Sequence, residues 1–241
     1  MNITDKALTL SSNNVTIAEN QEKVYDKGYS DAESNFPLEM WKILTSSGNR
    51  TNYIRAFAST SFPKGFAFPE PIKPTSYSSH MFYDYYGAEL PLNIDLSGVR
   101  LTGTWENSAA MNIFSYARSI TTIYDMGLPA PVEYRNSFQY CYKLTTIEKI
   151  RVAKETKFYD PFLGSTNLAN VTFEGEIGQN LSLGGCTKLT HKSLMNIIGC
   201  LYDFVSNGET TTRTLTIGSE NLLKLTDEEK AIATQKGWTL A

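Results

Sequence analysis

Two stretches of the chain carry the same order of large apolar, small and polar positions. They are Phe114-Ser-Tyr-Ala117-Arg-Ser-Ile120-Thr-Thr-Ile123 and Phe138-Gln-Tyr-Cys141-Tyr-Lys-Leu144-Thr-Thr-Ile147, every equivalent pair 24 residues apart. A further step of 24 lands on Phe162, Ser165, Leu168 and Val171, and a step of 21 lands on Leu183, Cys186 and Leu189. A fixed period of this length signals stacked supersecondary units, each unable to bury its apolar face alone. Within a unit the large positions point inward onto their counterparts in the next coil, and the small Ala/Cys/Ser slot sits where the backbone turns tightly. The Ile/Leu-x-x-Ile/Val step leads into a short strand, clearest in Ala169-Asn-Val171-Thr-Phe173. Successive strands are expected to pair in parallel about 4.8 Å apart. Upstream the pattern fades: Phe82 and Tyr85 in Ser79-His-Met-Phe-Tyr-Asp-Tyr-Tyr86 fit a further coil, with an insertion around Leu96 to Trp105 before Phe114.

A solenoid exposes an apolar cross-section at each end and so needs atypical capping pieces. Thr190 to Phe204 spaces Leu194, Ile197, Ile198, Leu201 and Phe204 at helical intervals behind a Thr N-cap. Thr212 to Ile217 alternates like a strand, Thr226-Asp-Glu-Glu229 is a capping box, and Trp238-Thr-Leu240 after Gly237 suits a last strand. The pattern predicts that residues 190–241 form a cap that continues the sheet. Near the start, Ala7 to Ile17 alternates weakly, Glu19 to Glu33 is a polar helix candidate, and Pro37 to Ser46 carries an apolar stripe of Leu38, Trp41 and Leu44. The first helix has too little apolar surface to stand alone, so it packs on the second or joins copies of the chain into a homo-oligomer through residues 1–35. The organisation read from the pattern is an attachment or capping region at 1–66, a repeat region at 67–189 and a cap at 190–241.

The F-x-x-C-x-x-L-x-x-I skeleton resembles the BspA-type leucine-rich repeats of bacterial surface proteins and prophage-encoded proteins. The resemblance runs from about Phe82 to Leu194; Ala117 and Ser165 stand where Cys is favoured, and the common Pro after the strand is absent. The ending from Lys224 to Ala241 is similar to the terminal cap of prophage and gut-bacterial members. The fold class this implies is α/β: a short leucine-rich-repeat-like solenoid with parallel strands, a helical N-terminal region and an α/β C-terminal cap. The function it implies is recognition or adhesion without catalysis, on a phage tail or as a cell-surface protein.

Composition narrows the partners. Hydrophobic residues make up 41% and charged residues 20%, ordinary for a globular chain. The net charge is -3 and basic residues are dispersed, so no nucleic acid is expected as a partner. No apolar run approaches the roughly 18 residues of a membrane span, and Met1 to Thr16 lacks the pattern of a signal peptide. The expected place is a virion, or the extracellular or cell-surface space. Cys141, Cys186 and Cys200 have no metal or disulfide spacing. On the repeat register Cys141 and Cys186 sit two coils apart, about 10 Å, beyond the roughly 7 Å a disulfide spans. They are expected as reduced core thiols.

Chemistry-bearing motifs are sparse. His80 and His191 are each isolated, no G-x-S-x-G surrounds a serine, and Gly184-Gly185 lacks the ending of a phosphate loop, suiting a tight turn instead. No metal and no cofactor are expected, and no enzyme. The alternative is a carbohydrate-active enzyme using a carboxylate pair such as Asp84 with Glu89. What stands out is tyrosine, 14 in all. Tyr116 and Tyr140 share one repeat position, and Tyr83, Tyr86, Tyr124 and Tyr142 lie where the inward pattern makes no claim. Tyr combines a rigid face with a hydroxyl, which suits contact with a protein or a glycan on a host or cell surface. These six tyrosines are the candidate contact surface; packing beneath neighbouring loops is the competing reading for Tyr116 and Tyr140.

Overall fold

The computed structural model describes residues 57–62, 64–67, 80–92, 94–97 and 110–241. The N-terminal strand and helices, the oligomerising segment 1–35 and most of the insertion around Leu96 to Trp105 lie outside these residues.

The strands form where β-branched and aromatic residues meet the repeat. In chain order they are β1 (Thr122–Ile123), β2 (Glu133–Arg135), β3 (Thr146–Val152), β4 (Lys157–Tyr159), β5 (Asn170–Gly175), β6 (Leu181–Ser182), β7 (Arg213–Thr216) and β8 (Trp238–Leu240). Helices α1 (His191–Cys200), α2 (Ser219–Leu222) and α3 (Asp227–Gln235) all follow β6. The described residues are thus mixed α/β, with three small sheets among them, ordered β1-β3-β5, β2-β4 and β6-β7-β8, every pairing parallel.

Register follows the sequence period. Thr122 pairs with Thr146 and Thr146 with Asn170, and Ile123, Ile147 and Val171 form one inward row. A strict alternation would send Lys149 inward, since Ile147 and Ile150 are three apart; an irregularity between them restores the pattern, so that Ile150 faces Phe173. The repeated pattern marks one strand per unit, whereas the structure forms two. Glu133-Tyr-Arg135 pairs with Lys157-Phe-Tyr159 on the same 24-residue step, too short a run to announce itself by alternation.

Between the sheets a column of phenylalanines carries the core. Phe57, Phe82, Phe114, Phe138 and Phe162 follow one another with ring centroids 5.4, 5.5, 5.7 and 5.4 Å apart. The column starts one segment earlier than the readable pattern, which began at Phe82. Beside it, Ala117, Cys141 and Ser165 are fully buried. Cys141 Sγ donates to the carbonyl of Phe114 at 3.0 Å, and Ser165 Oγ donates to the carbonyl of Phe138. The small slot therefore takes a compact residue, and Cys141 and Ser165 also donate there to the preceding turn. Cys141, Cys186 and Cys200 are all free thiols, the first two buried, and burial pushes the thiols of Cys141 and Cys186 up to about 12.

A backbone ladder joins the turns at the phenylalanines. The N–H groups of His80, Phe82 and Asp84 donate to the carbonyls of Met111, Ile113 and Ser115; those of Asn112, Phe114 and Tyr116 to Arg135, Ser137 and Gln139; those of Asn136, Phe138 and Tyr140 to Tyr159, Pro161 and Leu163. Each of these turns places two residues in the left-handed region, among them Asn112 and Tyr116, then Asn136 and Tyr140, then Asp160 and Gly164. The left-handed geometry lets every second N–H point along the stack.

The C-terminal part closes the edge that β5 would leave open. Thr190 caps α1, its hydroxyl accepting from Ser193 N. Ser193 and Asn196 of α1 then accept the N–H groups of Val171 and Phe173 at 3.0 and 2.7 Å, which satisfies a sheet edge with side chains instead of another strand. The capping box at Thr226 and Glu229 opens α3. Two expectations for the cap are corrected. The helix stops at Cys200 and does not reach Phe204, because Leu201 turns extended and bridges Ile177. The cap strands β7 and β8 extend β6, not the β1-β3-β5 sheet, whose next position α1 occupies.

Candidate functional site

The site begins with a backbone requirement. At the second left-handed position of each turn, a side chain other than Gly, Asn or Asp costs about 1–2 kcal/mol, because Cβ approaches the following carbonyl. Two turns use residues suited to it, Asp84 (φ 52) and Gly164 (φ 77). The two between them use Tyr116 (φ 62) and Tyr140 (φ 57).

The stacking step carries these rings into a row. Tyr83 lies 5.6 Å from Tyr116, Tyr116 lies 4.9 Å from Tyr140, and Tyr140 lies 6.0 Å from Tyr142, centroid to centroid. The rings are mutually tilted, so each shields part of its neighbour's face. Tyr142 is 45% exposed and the other three are half-buried. None of the four hydroxyls bonds to a described residue. The Arg118 guanidinium stands 5.6 Å from the Tyr116 ring, and His80 flanks Tyr83 at 5.7 Å. The row ends where Tyr140 lies on Gly164: a Cβ there would come within 2.5 Å of Tyr140 Cδ1.

The other two candidate tyrosines sit differently. Tyr86 is exposed and donates to Asp84 Oδ2 at 2.9 Å, beside the turn that carries Tyr83. Tyr124 lies outside the row. Its ring packs against the core and its hydroxyl donates to the carbonyl of Pro91, and burial raises its hydroxyl to about 12. The structure therefore separates Tyr124 from the four neighbouring rings, residues that the sequence pattern left together.

The carboxylates weighed for hydrolysis have separate attachments. Asp84 accepts from Tyr86 and Ser59, whereas Glu89 pairs with Lys64 at 3.4 Å and accepts from Gly65 N. His80 Nε2 lies 2.9 Å from Asn112 Nδ2, and His191 pairs with Glu229 at 2.7 Å. Among the described residues no group of three or more His, Cys, Asp or Glu is placed to hold a metal ion. No helix among them is long and apolar enough to cross a membrane. On the β1-β3-β5 surface, Arg151 grips Asp125 through two bonds of 2.7 and 2.8 Å and reaches Glu174 at 3.0 Å. The Arg151 bond holds the Asp125 carboxyl down at about 2.

Between β4 and β6, which are not hydrogen-bonded to each other, a cleft of about 230 Å³ is lined by Phe158, Pro161 and Leu181 and by the polar Asp160, Asn180, Ser182, Thr214 and Thr216. Its only signal in the sequence is the shortened step from Phe162 to Leu183.

Compared with known protein families, curated proteins and solved structures, the chain matches none.

Proposed function

We propose that this chain is a non-enzymatic recognition or structural protein, built as a short leucine-rich-repeat-like solenoid that displays its tyrosine row to a protein or glycan on a host or cell surface. Two settings suit it: a phage or prophage virion, and a bacterial surface adhesin. The parallel pairing on a 24-residue step and the aligned phenylalanine column support the solenoid. The observation that carries the recognition role is Tyr at two left-handed positions whose neighbours use Asp and Gly. Tyr stacking returns about 0.5–1.5 kcal/mol per pair, which roughly offsets the backbone cost, so stability alone gives little reason to prefer Tyr over Gly there. A half-buried row of rings, open to solvent at Tyr142 and with hydroxyls that bond to no described residue, has the chemistry of an interaction hot spot.

The test replaces Tyr116 and Tyr140 by Gly, which keeps the left-handed turns, and Tyr83 and Tyr142 by Ala. Binding is then read on a glycan array and a host-surface protein array. The expected result is a ligand for the parent chain that the variant loses while its circular dichroism is unchanged. Undiminished binding by the variant removes the tyrosine row, and a parent chain that binds nothing on either array is a spacer.

A further inference from the structure

The backbone ladder that joins successive turns breaks once. After three complete sets of bonds, the N–H groups of Asp160, Phe162 and Gly164 meet no acceptor among the described residues. The break coincides with the shortest step, 21 residues from Phe162 to Leu183, where 32, 24 and 24 separate the turns that keep the ladder. The following turn does not present its carbonyls in register, and β4 and β6 fail to pair. Phe158 records the opening. Its neighbours on the inward face, Tyr134, Leu181 and Leu215, are at most 2% exposed, whereas Phe158 is only half-buried.

We infer that the cleft at this seam is a saccharide subsite for one neutral, hydroxyl-rich ring of hexose size, such as the terminal sugar of a glycan. Its floor is apolar, from Phe158, Pro161 and Leu181, which suits the C–H face of a sugar. Its rim offers both signs of hydrogen bonding. The Asp160 carboxylate makes no bond to a described residue and accepts two hydroxyls, while the Asp160 N–H donates. Asn180 Oδ1 accepts from Thr214 N at 2.9 Å, which leaves its amide N–H groups to donate. Ser182, Thr214 and Thr216 add hydroxyls that do either. With Asp160 as the one charged side chain in the lining, an anion is disfavoured, and about 230 Å³ is below the roughly 300 Å³ at which pockets for drug-sized ligands begin. The inference rests on the recognition reading for its ligand class, but not on the tyrosine row.

The ¹⁵N-labelled full chain is titrated with glucose, galactose, mannose and N-acetylglucosamine. At least one is expected to give saturable shifts at the amides of Asp160, Ser182, Thr214 and Thr216, with a Kd on the order of millimolar. Asp160→Asn tolerates the left-handed backbone and is expected to weaken binding about tenfold at an unchanged denaturation midpoint. Ser182→Ala, at an exposed position, weakens it independently. A blank response to all four sugars, or shifts that Asp160→Asn leaves untouched, overturns the subsite. So does a response only to a blocked hexapeptide of alternating Val and Thr, which assigns the free N–H groups to strand addition. The variant without the tyrosine rings keeps the cleft response, so failure at the cleft and failure of the row are read separately.

Discussion

Gly164 and Tyr140 offer a direct measure of how tightly the tyrosine row is coupled to the turn beneath it. Gly164 has φ +77, and a Cβ placed there falls 2.5 Å from Tyr140 Cδ1 and 3.0 Å from Cε1. Gly164→Ala therefore carries two costs. The left-handed strain is about 1–2 kcal/mol, reduced by about 0.4–1 kcal/mol because alanine narrows the unfolded ensemble; about 1 kcal/mol remains. The second cost is steric. Tyr140 must swing away, giving up its stacking on Tyr116 at 4.9 Å, worth about 0.5–1.5 kcal/mol. The single variant is thus expected to lose about 2 kcal/mol. In a Tyr140→Gly background only the strain remains, and Gly164→Ala costs about 1 kcal/mol. The assay is a double-mutant cycle from urea denaturation, comparing midpoints at constant slope. The coupling of about 1 kcal/mol stands above the roughly 0.3–0.5 kcal/mol scatter of independent sites. Gly185→Ala, where an added Cβ meets nothing within 4 Å, serves as a control near zero. Equal costs for Gly164→Ala in both backgrounds would refute the packing of Tyr140 on Gly164.

Four further outcomes follow from the packing and the charges. Phe138→Ala, at the centre of the phenylalanine column and 4% exposed, is expected to cost about 3–5 kcal/mol by urea denaturation; a loss below about 1 kcal/mol would contradict the column. Asn196→Ala strips the acceptor from Phe173 N on β5 and is expected to cost about 1–3 kcal/mol, with faster amide exchange at Phe173. The Asp125 carboxyl is held at about 2 against an ordinary 3.8, so its ion pair stabilises the fold fully above about pH 4 and is lost as pH falls towards 2. Partial exposure limits this to about 1 kcal/mol or less, and Arg151→Met should flatten stability against pH in that window; parallel curves would remove the pair. At pH 8 a thiol reagent should modify half-buried Cys200 well before Cys141 and Cys186, whose thiols burial pushes up to about 12, a difference that peptide mass spectrometry resolves and that equal labelling rates would contradict.

Much of the architecture was legible along the chain, for a local reason. A repeat writes each inward position several times, so Phe114, Phe138 and Phe162 and the slot of Ala117, Cys141 and Ser165 identify one another without any structure. The Thr190 cap and the Thr226 box are equally local, since a helix start is decided by the few residues that satisfy its first N–H groups. The strands β2 and β4, three residues each, were not legible, because only their partners give so short a segment its direction. The same holds for the end of α1: Leu201 and Phe204 keep the helical spacing, but Leu201 turns extended to bridge Ile177.

The tyrosines divide along the same line. Sequence alone determined that Tyr116 and Tyr140 share a position and that Tyr83 and Tyr142 lie off the inward pattern. Only the tertiary structure decided that these four rings form one row while Tyr124 turns into the core, because the row depends on the stacking step and the Tyr124 bond spans 33 residues to Pro91. The cleft at the seam shows the division most plainly. The sequence contains the short step of 21 residues; what lies open there depends on carbonyls that fail to arrive from a neighbouring turn, and hydrogen-bond register between distant segments exists only once the chain is folded.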